Sequence, residues 1–237
     1  MDNRASFSGI MGETTRLLSD GVRGWLVFVA VVGGLNALGV LMGWAEPATD
    51  VVRAGFNYTY EPGDGLAEGL FGLGSAIVMI IATYYLLAFL LDLRGRLPER
   101  ETRIWAYVGM SILSVLGLIV GFILLIVPGI ILLVRWSAAS GFLLGERKGI
   151  VDSLGASWNA TRGSSWPIFG AALVLIIALG VIGFLVGGAI GAAGSNLVAG
   201  AAGEFVNAFA SAAFIAFGIA VYLLVAGGAS SVGEVFE

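Results

Sequence analysis

The sequence has no cysteine and no histidine among its 237 residues. Disulfides, thiolate nucleophiles, imidazole bases and histidine-ligated metals are therefore excluded. Charge is scarce too: Asp, Glu, Lys and Arg make up 12% of the chain, against roughly a quarter in a soluble domain. A formal net charge of −4 argues against nucleic acid as a partner. What the chain has instead is apolar surface, with 58% hydrophobic residues and a mean hydropathy of +0.97. This is the composition of an integral membrane protein. Its 37 glycines fall inside apolar runs without a Gly-X-Y period, the habit of close-packed transmembrane helices. About twenty mostly polar residues precede the first apolar run, longer and more acidic than a cleavable signal's n-region. Asn57-Tyr58-Thr59 fits the glycosylation pattern, which is too short to carry weight.

The longest apolar run, Trp105–Trp136, is broken by Val127-Pro128-Gly129 and ends in Val134-Arg135-Trp136. It exceeds the ~20 residues of one crossing. Further candidate spans or parts of spans are Trp25–Trp44, Leu70–Leu91, Ser137–Leu144, Ile168–Ala192 and Phe205–Ala226. Loop charge gives the orientation. Arg94, Arg96, Arg100 and Arg103 follow the second span, and Arg147, Lys148 and Arg162 precede the fifth. The loop Ala45–Glu68 holds Glu46, Asp50, Glu61, Asp64 and Glu68 against Arg53, and the loop near Ser195–Glu204 has no basic residue. Basic loops lie inside, so an even number of crossings separates Arg103 from Arg147. The long run is therefore a hairpin with Pro128-Gly129 at or near the outer face. Its first arm, Ile104 to Ile126, is long enough to cross. The second, Gly129 to Leu144, reaches about 24 Å, and either crosses a thinned region or is re-entrant.

Two amphipathic stretches predict interfacial helices on the cytoplasmic side. In one, Phe7, Ile10, Met11, Thr14, Leu17 and Leu18 share a face. In the other, Ile150, Val151, Leu154, Trp158 and Thr161 do so, opposite Asp152, Ser153 and Asn159. A displacement of about 140 residues aligns Gly9-Ile10 with Gly149-Ile150 and Leu18 with Trp158; this hints at a duplicated unit, though any interfacial helix entering a membrane reads alike. Trp25, Trp44, Trp105, Trp158 and Trp166 mark span ends or surface segments, as expected of interfacial anchors. Trp136 fits that role only where the second hairpin arm is shallow.

Small residues recur every four positions: Gly183, Gly187 and Gly191 in the fifth span, Ala208, Ala212, Ala216 and Ala220 in the sixth. Gly117 with Gly121, and Gly39 with Gly43, do the same in the third and first. Such stripes let helix backbones approach closely. They predict packing within the chain in preference to a homodimer seam, with the fifth and sixth spans pairing antiparallel. Arg135 is a charge at membrane depth and calls for a partner or a wet cavity. Its functional reading is a site for an anionic group such as a lipid phosphate. Its structural reading is a cation that snorkels, caps carbonyls near the Pro-Gly turn, or pairs with Asp92 or Glu146. No other group at membrane depth, from Asn36 through Ser111 and Ser114 to Asn207 and Ser211, is ionisable near neutrality, so no carboxylate relay is expected. Gly69-Leu70-Phe71-Gly72-Leu73-Gly74 superficially resembles a phosphate-binding loop but lacks the strand such a loop needs. Without a His base or paired carboxylates, no enzyme, cofactor or metal site is expected.

An ordered pattern fills the second half: Val127-Pro128-Gly129-Ile130, Val134-Arg135-Trp136, Gly155-Ala156-Ser157-Trp158-Asn159-Ala160-Thr161-Arg162-Gly163 and Trp166. It resembles the glycerophosphoryl diester phosphodiesterase membrane-domain family and related bacterial polytopic membrane proteins, over about Ile126–Gly170. The resemblance implies a membrane module connected with lipid or envelope metabolism. It does not imply phosphodiesterase activity, because the soluble domain fused to some members has no room here.

The expectation is an all-α integral membrane protein, one domain over 1–237, with six membrane helices and two interfacial ones. Its parts are an interfacial helix (1–21), four membrane helices (22–144), a second interfacial helix (145–166), two more membrane helices (167–227) and a tail (228–237). The expected setting is a bacterial cytoplasmic membrane with both termini inside. The leading function is a non-enzymatic module engaging membrane lipids or a partner membrane protein through Arg135, Trp136, Trp158, Thr161 and Arg162. The competing class is a small transporter with a polar path beside Arg135, Ser137, Ser140 and Asn207. Because the chain has no native Cys, Gly95→Cys and Thr59→Cys each provide a single thiol for an impermeant maleimide. Intact cells are expected to label position 59 and to protect position 95; labelling at 95 from outside reverses the orientation.

Overall fold

The structure is a computed structural model and describes residues 5–45, 65–98, 102–192 and 196–233. Those residues are helical, with no strand among them. The helices are α1 (Phe7–Asp20), α2 (Val22–Phe28), a π-turn (Val29–Gly33), α3 (Gly34–Leu41), α4 (Leu66–Asp92) and α5 (Ile104–Leu124). There follow α6 (Ile126–Trp136), α7 (Ala139–Gly145), α8 (Ile150–Ala160), α9 (Ser165–Ala192) and α10 (Asn196–Gly233). Among the described residues six stretches are long and apolar enough to cross a membrane: Val22–Leu41, Leu66–Asp92, Ile104–Leu124, Ile126–Gly145, Ser165–Ile190 and Leu197–Gly227. The chain is a multi-pass, all-α membrane protein. Most of the acidic loop after Trp44, and Arg100, lie outside the described residues.

The chain forms two compact units. The first joins α1, the end of α4 from Leu87, α5 to α8, the start of α9 to Leu173, and α10 from Ile215. Ser6 caps α1 by accepting the Gly9 N–H at 3.1 Å, satisfying one of the donors a helix start leaves open. Ile10, Thr14 and Leu17 are buried, so α1 docks on protein and not on lipid alone. Arg94, in the turn after α4, donates Nε–H to Glu13 at 2.7 Å and an Nη1 hydrogen to Asp20 at 2.9 Å. Burial lowers the Arg94 pKa, but these two hydrogen bonds and charges outweigh it and hold the group above its ordinary value. The latch is therefore permanently cationic. Tyr222 of α10 fills the space left by two glycines of α7: a Cβ on Gly141 would overlap its ring, and one on Gly145 would lie 2.6 Å from its hydroxyl.

The hairpin differs from expectation in where it turns. α5 ends at Leu124, the chain extends at Leu125 (φ −169, ψ 153), and α6 begins at Ile126. Pro128 and Gly129 lie inside the first turn of α6, where a missing N–H costs nothing. The second arm gains three residues at its start and one at its end, giving the 20 residues Ile126–Gly145, with a break at Ser137 and Ala138 between α6 and α7. The arms meet through glycine. Cβ atoms on Gly117 and Gly121 would stand 2.5 Å from the Trp136 ring and 3.2 Å from the Gly129 Cα. Trp136 is thus a packing residue and not an interfacial anchor. Trp105 and Trp166, each 83% exposed at the start of a span, fit the anchoring role.

The second unit joins Val22–Leu86 with Val174–Phe214, over its described residues. Here the first span lies against α10. A Cβ on Gly33 would be 3.1 Å from the Phe205 Cα and 3.3 Å from the Ala208 Cβ, and Ala37 and Val40 cluster with Ala201. Trp25 meets Phe209 edge to face at 5.2 Å. The alanine stripe Ala208, Ala212, Ala216 is buried. The glycine that meets it at Ala208 is Gly33 of the first span, whereas a Cβ on Gly187 would touch nothing within 4 Å. Gly183 is half-buried, and Gly191 stands two turns further along α9.

Gly95 adopts φ +61, so a cysteine there carries about 1 kcal/mol of strain; exposed Pro98 offers an unstrained labelling position. A Gly141→Ala change is expected to destabilise by about 1–3 kcal/mol through overpacking against Tyr222. Gly155→Ala, with nothing within 4 Å, should leave stability level or raise it by up to about 1 kcal/mol. Thermal unfolding in detergent checks both, and equal midpoints for the two variants would refute this packing.

Candidate functional site

Four residues of the sequence pattern, Arg135, Ser157, Trp158 and Thr161, converge where α6 ends and α8 passes it. Arg135 lies in the last turn of α6, whose final carbonyls have no intrahelical donors. The Ser157 hydroxyl of α8 donates to the Arg135 carbonyl at 2.6 Å, and the Thr161 hydroxyl approaches the same oxygen at 3.5 Å. In return, Arg135 Nη1 donates to the Trp158 carbonyl at 3.4 Å. Its guanidinium carbon lies 5.4 Å from the centre of the Trp158 ring, within cation–π range. The cation thus sits by the carbonyl ends of two helices, where the helix dipoles favour positive charge. Arg135 and Trp158 are half-buried, Ser157 and Thr161 fully buried.

The end of α8 depends on the same residues. Thr161 donates back to the Ser157 carbonyl at 2.8 Å, and the Ser164 N–H donates to the Thr161 carbonyl at 3.2 Å. Gly163 takes φ +86 in this turn, a backbone conformation that favours glycine. The Ser, Thr and Gly of the pattern therefore have one structural role each.

Three expectations are corrected. Arg135 engages Trp158, with no ion pair to Asp92 or Glu146. The inner face of α8 is lined by hydroxyls: Ser153, placed by periodicity on the outer side, is fully buried, while Val151 is 69% exposed. Hydroxyls can line that face because each has a carbonyl to satisfy it, Ser153 donating to Ile150 O at 2.7 Å. Trp136 turns its ring onto Gly117, and Arg162 is exposed; neither joins Arg135. The 140-residue displacement does carry buried Thr14, Leu17 and Gly21 onto buried Leu154, Ser157 and Thr161.

Two residues were missed. Arg103 donates from Nη1 to the carbonyls of Leu143 at 2.8 Å and Lys148 at 3.1 Å, so it caps α7 beyond its part in the loop charge. Glu204, assigned to a loop, lies in the third turn of α10 and is buried at 5% exposure. Its signal was present: the apolar pattern extends upstream of Phe205 to Leu197, and Ala201, Glu204 and Ala208 share helical spacing. Among the described residues no three His, Cys, Asp or Glu side chains gather into a group able to hold a metal ion.

No family model, curated protein or solved structure matches this chain.

Ser157→Ala is expected to destabilise by about 1–2 kcal/mol, because the Arg135 carbonyl keeps only a long bond. Ser157→Ala with Thr161→Val should cost more and raise amide hydrogen exchange across 150–160. Wild-type exchange in the double variant would show that these hydroxyls do not hold α8.

Proposed function

We propose that the protein is a non-enzymatic module of the bacterial cytoplasmic membrane, with both termini inside, that binds anionic lipid headgroups at the Arg135–Trp158 corner. One observation carries this reading. The Arg135 guanidinium, a permanent cation with five donors, uses one of them in a single long bond to a carbonyl. It makes no ion pair among the described residues. A phosphodiester matches the unused donors by geometry and charge. The Trp158 ring beside it suits the boundary between headgroup and acyl chain, and exposed Val151 offers apolar surface on the same helix. Arg147, Lys148 and Arg162 flank α8 in sequence, and each basic residue at a membrane surface attracts anionic lipid by about 1 kcal/mol.

Arg135, Ser157, Trp158 and Thr161, which build the corner, belong to the 126–170 pattern that resembles the glycerophosphoryl diester phosphodiesterase membrane-domain family, and that resemblance is consistent with the same proposal. The Ser137 hydroxyl, needed for a polar transport path, donates instead to the Val134 carbonyl at 2.8 Å.

Native mass spectrometry of gently extracted protein tests the reading. The wild type is expected to retain anionic phospholipid, and Arg135→Leu to retain about fivefold less, as loss of ~1 kcal/mol implies. Arg96→Leu, an exposed change of equal charge, removes only the diffuse surface attraction and should retain more lipid than Arg135→Leu. Equal retention by all three would overturn the proposal. Loss of a co-purifying membrane protein with lipid unchanged would assign Arg135 to protein docking.

A further inference from the structure

The helices packed together at the Arg135–Trp158 corner are α5, α6, α7 and α8, and they carry little charge. α5 and α7 have no charged residue, α6 has only Arg135 and α8 only Asp152. Tyr107 of α5 is their remaining titratable group. Asp152 is exposed in the first turn of α8, about 9 Å along the axis before Trp158. Among the flanking basic residues, Arg103 donates to the carbonyls of Leu143 and Lys148. Lys148 pairs with Glu146 at 3.0 Å and lies 5.0 Å from the centre of the Phe142 ring. Arg162 follows Thr161 and is exposed.

The hydroxyls at the corner are already in use. Ser157 donates to the Arg135 carbonyl at 2.6 Å, and Thr161 to the Ser157 carbonyl at 2.8 Å; a hydroxyl has no second hydrogen to give. The carbonyl ends of α6 and α8 meet there, each equivalent to about half a negative charge, and they balance part of the guanidinium charge. A ligand therefore finds one planar, forked cation with donors left over. The Trp158 indole can add a donor but no charge.

We infer, on the reading that Arg135 binds a lipid headgroup, that the corner selects a singly charged phosphodiester over a phosphomonoester. A diester shares one negative charge between two free oxygens, which one guanidinium engages side by side. A monoester has a third free oxygen and carries close to two charges at neutral pH. Its second charge would meet no cation on these helices and would face two helix carbonyl ends, so it has to stay hydrated. Lipids of the two kinds share the same glycerol and acyl groups, so the difference rests on the phosphate.

Native mass spectrometry of the full-length protein in phosphatidylcholine nanodiscs tests this, with dioleoyl phosphatidylglycerol or dioleoyl phosphatidic acid added at equal mole fraction. At roughly pH 8 the wild type is expected to hold phosphatidylglycerol about fivefold more than phosphatidic acid. Lowering the pH to roughly 5, below the second phosphate pKa of ~6, should remove the difference by raising phosphatidic acid binding while phosphatidylglycerol binding stays level. Arg135→Lys keeps the charge and loses the fork; it should hold less phosphatidylglycerol and lose most of the preference. Should Arg135→Lys not fold, the wild-type pH profile decides alone. Equal binding of the two lipids by the wild type at neutral pH, lost in Arg135→Leu, overturns the selectivity and leaves the headgroup site standing. A preference for phosphatidic acid that disappears in Arg162→Gln would show a second cation swinging in, and overturns it as well. Binding of both lipids unchanged in Arg135→Leu overturns the headgroup reading itself.

Discussion

A helix that stops at membrane depth leaves carbonyl oxygens that water cannot reach, and each must find a donor within the protein. The second hairpin arm meets this constraint more than once, because it is interrupted between Trp136 and Ala139 and ends at Gly145. At the interruption the Ser137 hydroxyl serves Val134, and the Ser157 hydroxyl serves Arg135. At the far end Arg103 serves Leu143 and Lys148, and the Lys148 N–H approaches the Phe142 carbonyl at 3.3 Å. The position of α8 follows from this requirement. On its buried face Ser157 and Thr161 reach the last carbonyls of the broken helix, while Ser153 donates within α8 to Ile150.

Packing in the spans follows a second rule: close approach happens where one partner is glycine and the other a ring or a small residue. Gly117 receives Trp136, Gly141 and Gly145 receive Tyr222, Gly39 receives Phe71, and Gly33 receives Ala208. Lipid is as apolar as a leucine side chain, so helices gain by dispersion contact and not by escaping water. The extent of enclosure differs between spans. In α10, 67% of the most apolar window is buried, against 11% in α5, which suits a small-residue stripe on α10 and large exposed aliphatics on α5.

The two ionisable groups singled out differ in their surroundings. Arg135 is half-exposed at a helix end, with more donors than the protein uses, which suits an anion arriving from the membrane surface. Glu204 is buried on α10 between Ala201, which packs with Ala37 and Val40, and Ala208, which faces Gly33. One is a matter of surface recognition, the other of charge at depth.

The sequence by itself determined the class, the number of spans, the existence of a hairpin and both amphipathic helices, because these depend on hydrophobic length and period. Arg135 was legible for the same reason, being a charge in an apolar run. Tertiary structure decided the rest. Pro128 and Gly129 look like a break, yet the chain turns at Leu125, since proline is tolerated in a first helical turn. Periodicity put Ser153 outside, but a hydroxyl is buried at little cost where a carbonyl accepts from it, here Ile150 one turn back. Glu204 was read as loop because a carboxylate interrupts hydropathy, although the apolar run continues upstream to Leu197; its burial follows from how the first span and α10 pack.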